Sequence, residues 1–125
     1  MRRYSFCFLL LVLMACQDNE ADAPELRTKP ALQIGSSGAV LDAELTQTGP
    51  IVPVSVGFLW GTTQDLTIAT APGQHVIGDM SKIGPFSINV ATLSPSTKYY
   101  FRAFAAKKDF TEFYYGPILD FTTLP

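Results

Sequence analysis

The sequence predicts an all-β chain folded as an antiparallel two-sheet sandwich, and three observations predict it. Apolar residues recur with a period of two in five separate runs, and Gly, Pro and Ser gather between those runs. No segment carries the spacing of about 3.6 residues that an amphipathic helix needs. Residues 31–125 suffice for one small domain with its own core.

In the first run Ala39, Leu41, Ala43 and Leu45 alternate with Val40, Asp42, Glu44 and Thr46, the signature of a half-buried strand. In the second, Val54, Val56, Phe58 and Trp60 alternate with Ser55, Gly57, Leu59 and Gly61. Phe86, Ile88 and Val90 then alternate with Ser87, Asn89 and Ala91. In the fourth run Tyr99, Phe101, Ala103 and Ala105 share one face, while Tyr100, Arg102, Phe104 and Ala106 share the other. The last run places Leu119, Phe121 and Thr123 opposite Asp120 and Thr122. Turn residues punctuate at 35–38, 48–50, 71–73 and 94–96.

The connection Leu93-Ser94-Pro95-Ser96-Thr97-Lys98-Tyr99 fits Leu-x-Pro-x-Thr-x-Tyr, which resembles the approach to the sixth strand of a fibronectin type III domain. The resemblance implies a tyrosine corner, in which the Tyr99 hydroxyl bonds a backbone group a few residues upstream and Leu93 plugs the core beneath it. Pro95 and Thr97 complete that motif. A wider resemblance, to a fibronectin type III-like family abundant in surface proteins of Bacteroidetes, rests on four pieces in order. They are Gly57-Phe58-Leu59-Trp60-Gly61-Thr62-Thr63, Thr97-Lys98-Tyr99-Tyr100-Phe101-Arg102-Ala103-Phe104-Ala105, Tyr115-Gly116 and Phe121-Thr122-Thr123. The match covers nearly all of residues 31–125 and is weakest from 64 to 82. It implies an immunoglobulin-like sandwich, with one such module expected to carry whatever the protein does. The chain departs from the family before the last strand, where Lys107-Lys108-Asp109-Phe110-Thr111-Glu112-Phe113-Tyr114 replaces a short polar hairpin.

The N-terminus reads as an export signal: Arg2 and Arg3 precede the apolar stretch 4–12, and Leu13-Met14-Ala15-Cys16 closes it. About twelve apolar residues would cover roughly 18 Å as a helix, short of a hydrocarbon core of about 30 Å, which disfavours a retained membrane span. The Leu-x-Ala-Cys box resembles the bacterial lipoprotein signal. That implies cleavage after residue 15, acylation of Cys16, and a cell-envelope location on the outer membrane. Two or more acyl chains hold a protein stably to a bilayer where one does not. Residues 16–30 are polar and proline-punctuated and are expected to form a flexible acidic tether. The run Asp18, Glu20, Asp22 resembles the export signals that carry Bacteroidetes lipoproteins to the cell surface, although a plain acidic linker reads the same way.

Cleavage would remove Cys7, and lipid would consume Cys16, leaving no thiol for a disulfide. The nine basic residues less Arg2 and Arg3, set against eleven acidic ones, leave a net charge of −4 and no nucleic-acid footprint. His75 is the only histidine, and Asp79 and Ser81 near it supply the residue types of a nucleophilic triad. They fall in one expected loop without a nucleophile motif, so no catalytic site is assigned. One histidine and scattered carboxylates assign no metal site, and no glycine-rich phosphate cradle follows a strand, so no cofactor is expected.

Aromatic surface remains. Tyr100, Arg102 and Phe104 on one strand face, with Phe110, Phe113 and Tyr114 in or beside the loop, are the candidate partner-binding residues, because exposed rings serve as interface anchors or sugar platforms. The parity of the strands is open at this point: Tyr100 and Phe104 could pack over Trp60, or Phe58 and Trp60 could face outward and stack on Arg102. The reading is therefore a non-catalytic, membrane-anchored surface lipoprotein that binds a protein or a polysaccharide. The alternative is a structural component of an envelope assembly that lends a strand edge to its neighbours.

Overall fold

A computed structural model describes residues 23–107 and 109–125. Lipidation at Cys16, the signal segment and the first part of the expected tether lie outside these residues. Eight strands are formed: β1 (Glu25–Leu32), β2 (Ala39–Gln47), β3 (Val54–Gly61), β4 (Gly73–Met80), β5 (Gly84–Val90), β6 (Lys98–Ala106), β7 (Phe113–Tyr115) and β8 (Leu119–Thr122). One sheet has the order β1-β2-β5, and the second has β4-β3-β6 with both β7 and β8 paired to β6. Every pairing is antiparallel.

The period-two runs set which faces meet. Leu41, Ala43 and Leu45 of β2 and Val54, Val56 and Phe58 of β3 are buried between the sheets. Phe101, Ala103 and Ala105 of β6 join them. Phe58 meets Phe86 of β5 at 5.3 Å between ring centroids, and Phe121 of β8 lies 5.8 Å from both Tyr99 and Phe101. The parity question is thereby settled: Phe58 faces the core, and Trp60 is half-buried against it.

Two expectations need correction. Residues 25–30, assigned to the tether, begin β1, which pairs with β2 from Glu25↔Gln47 to Leu32↔Val40. Only Thr28 of this strand is buried, and its hydroxyl accepts from Ala103 N–H at 3.3 Å, so a polar residue points inward where an apolar one would have announced the strand. Secondly, the segment read as a loop around His75 and Asp79 is β4, paired to β3 from Trp60↔Gly73 to Val54↔Met80. Edge position leaves most of its side chains exposed, so its ladder to β3 holds it without an alternating apolar face. Ser81 follows the strand, and the Asp79 carboxylate accepts a hydrogen bond from the Ser55 hydroxyl at 2.7 Å.

Candidate functional site

The strand register puts Leu59 of β3 and Phe104 of β6 on the outer face of the larger sheet, yet both are completely buried. Residues 62–72 fold back over this face, and Leu66 and Ala71 close on Leu59 and Phe104 to form a second, smaller core. Arg102 locks the cover in place. Its Nε donates to the Gly116 carbonyl at 2.9 Å, its guanidinium donates to the Leu66 carbonyl at 3.2 Å, and the group lies 4.9 Å from the centre of the Tyr115 ring. The Tyr115 hydroxyl in turn accepts from Ile68 N–H at 3.0 Å. Burial lowers the Arg102 pKa from its ordinary value, but a guanidinium stays charged at neutral pH.

This corrects the strand half of the predicted partner surface. Phe104 is core, Arg102 is a clamp, and Tyr100 is half-buried beside that core with Lys98 Nζ 5.3 Å from its ring centre. Neither alternative stacking holds, because Trp60 lies on the opposite face of the sheet and Arg102 takes Tyr115 as its aromatic partner.

The loop half divides differently. Phe113 is half-buried, 6.5 Å from Phe104 and 6.2 Å from Phe110, so the three rings form a ladder from the second core out to solvent. Phe110 ends it at 45% exposed, held at φ 56° by the turn that its N–H closes on the Lys107 carbonyl at 2.8 Å. Glu112 organises the base of the loop: its carboxylate accepts from the Tyr114 hydroxyl at 2.6 Å and pairs with Lys107 Nζ at 3.1 Å. Those two bonds, the phenol's first, hold the Glu112 carboxyl below its ordinary value. The same contacts raise Lys107 and Tyr114. Asp109 is lowered by the hydroxyl and N–H of Thr111.

Sequence reasoning missed the neighbours of Phe110. The ladders place the start of β1, the end of β2, the start of β3, the end of β4, the start of β5 and the end of β6 at one end of the sandwich. At that end Ile51 is 61% exposed, Val52 45% and Ile83 62%, on the β2–β3 and β4–β5 connections. A hollow of about 110 Å³, lined by Pro24, Thr48, Pro50, Ile51, Val54 and Lys107, lies at the same end. Their sequence signal was an aliphatic residue inside proline and glycine punctuation, where turn chemistry alone calls for none.

At the opposite end the corner forms as expected. The Tyr99 hydroxyl accepts from Ser94 N–H at 2.9 Å, so the pinned backbone group is a donor. Leu93 is buried, the Thr97 hydroxyl donates to the Pro95 carbonyl at 2.8 Å, and Thr97 N–H donates to the Thr123 hydroxyl at 2.9 Å. Trp60 lies against Gly73, where an added Cβ would stand 2.2 Å from the indole nitrogen. Among the described residues no cluster of three metal-ligating side chains occurs.

No family model and no curated protein matches the sequence. Solved structures do match the fold. The sensor domain of the anti-sigma factor RsgI4 of Pseudobacteroides cellulosolvens is similar in a short form, with a TM-score of 0.59 and 20% identity, covering 81% of this chain and 94% of that one. Its long form gives 0.57 at 20% identity, over 82% and 90% of the two chains. The fibronectin type III domain of human fibronectin type III domain containing protein 3 gives 0.56 at 18% identity, over 81% and 85%. The class is thus a two-sheet, immunoglobulin-like β-sandwich. Within that class its fold is similar to that of fibronectin type III domains.

Proposed function

We propose that this protein is a lipid-anchored, non-catalytic binding module of a bacterial envelope, outer-membrane bound and surface-facing, whose contact surface is the loop end around Phe110. One observation carries the contact surface: Phe110, Ile51, Val52 and Ile83, half of the eight large hydrophobic side chains exposed among the described residues, gather on three loops at one end of the sandwich. Solvent-facing turns do not require such residues, and apolar clusters of this kind on a surface are commonly interaction sites. Three of the four are aliphatic, which disfavours a polysaccharide, since sugar rings stack on aromatic faces. The sensor role printed for the RsgI4 domains supports a recognition task for this fold without chemistry of its own.

The lipid anchor is tested by fractionating a bacterial host and weighing the mature chain. Wild type is expected in the membrane fraction with Cys16 as its acylated first residue, and Cys16→Ser is expected unprocessed or soluble. A serine variant processed and localised like wild type would refute the anchor.

A second reading has its own observation. Val76 and Ile77 are exposed on β4, whose far edge carries no strand among the described residues, so an envelope partner could add one there. A shift in the β3–β4 register between Val56 and Gly57 interrupts that edge, and such irregularities discourage edge pairing. The loop end is therefore the preferred surface.

A further inference from the structure

We infer that the loop end docks on the bilayer itself, with Ile51, Val52, Ile83 and Phe110 set into the headgroup boundary. The inference deepens the proposed contact surface and rests on the lipid anchor. The described chain begins at this end: Ala23 accepts a hydrogen bond from the Gln47 side chain at 2.6 Å, and Pro24 lines the hollow beside Ile51 and Lys107.

Because β1 starts at Glu25, only residues 17–24 separate Cys16 from the sandwich, a reach of at most about 28 Å. The nine residues of β2 alone span about 30 Å, so turning the opposite end to the membrane would consume the whole tether. The short leash therefore keeps the loop end within about 28 Å of the lipid and leaves the opposite end the farther of the two.

What this end presents also suits a bilayer better than a protein. A protein hot spot fills a concave, desolvated pocket, whereas these side chains project from three loops and, of the four, Ile51 alone lines the hollow of about 110 Å³ at this end. Apolar side chains on a membrane-facing surface bury roughly 5 to 10 Å into the headgroup and acyl boundary. The charged residues in the segments at this end are of both signs: Lys82, Lys107 and Lys108 against Glu25, Asp109 and Glu112, with Lys107 paired to Glu112. The dock is thus held by apolar burial, and its strength should change little with salt or with the anionic lipid content.

The mature chain offers no free thiol once Cys16 is acylated, which permits single-site labelling. Ile83→Cys and, at the far end, Leu124→Cys each carry a nitroxide; Leu124 is 53% exposed. Each lipidated full-length mature chain is reconstituted in vesicles of phosphatidylethanolamine and phosphatidylglycerol. The position 83 probe is expected to be several-fold less accessible to a water-soluble paramagnetic relaxer than the position 124 probe, and more accessible to oxygen, at low and high salt alike. Floating chains in which both probes are equally water-exposed overturn the dock and leave the anchor standing. A wild-type chain that does not float with the vesicles overturns both. A probe at 83 shielded in cells but open in vesicles assigns the surface to a protein partner and overturns the lipid assignment.

Discussion

Tyr99 and Tyr100 are adjacent and chemically identical, yet they do different work because the strand turns one inward and one outward. Replacing Tyr99 by Phe leaves the Ser94 N–H without its acceptor and is expected to destabilise the domain by about 1 to 2 kcal/mol. Tyr100→Phe should change stability by less than about 0.5 kcal/mol. Equal losses in denaturant unfolding would remove the corner from the account. Glu112 provides a second residue-level test. Its folded-state pKa lies below the ordinary 4.5, so its contribution to loop order is complete above that value and is lost as the pH falls through the lower folded one. Lys107 and Tyr114 are raised, so theirs is complete below their ordinary values and is lost only as the pH climbs through the raised ones. Between those limits the Lys107 N–H, which donates to the Glu112 carbonyl at 3.1 Å, should stay protected from exchange. A carboxyl resonance of Glu112 titrating at or above 4.5 would contradict the contact.

Among the elements, β6, like β3, buries side chains on both faces, and its outer face predicts different outcomes for the two end rings of the ladder from Phe104 through Phe113 to Phe110. Phe104→Ala empties the second core and should cost about 3 to 5 kcal/mol, whereas Phe110→Ala, at the outer end of the same ring ladder, should cost no more than about 1. Comparable unfolding midpoints for the two variants would mean that residues 62–72 do not cover the sheet. That cover was not legible in the sequence. Strict alternation reads as one buried and one solvated face, and Tyr100, Arg102 and Phe104 looked like surface because their partners, Leu66 and Ala71, lie in a segment without periodicity. The strands of the main core were legible from Leu41, Val56, Phe58 and Phe101, each on the inward parity of its run. β1 and β4 escaped because they are edges: a buried Thr28 and an exposed His75-Val76-Ile77 stretch leave no apolar alternation for pairing to show through. The corner was readable because Leu93, Pro95, Thr97 and Tyr99 act within seven residues, while Ile51, Ile83 and Phe110 converge only after folding.

At the scale of the whole molecule the sandwich is polar in the sense of direction. The tyrosine corner and the half-buried Trp60 lie at one end, and the entry of the chain with four exposed apolar side chains lies at the other. An anchor at Cys16 would set that second end toward the envelope, which makes the loop end and not the broad sheet face the place of contact. Photo-crosslinking in intact cells tests this most directly, with a light-activated residue placed in turn at positions 110, 42 and 124. Asp42 and Leu124 sample the outer face of the small sheet and the far end. The account predicts adducts of lipid or protein from position 110 and none from the other two. Adducts from 42 or 124 without any from 110 would contradict it.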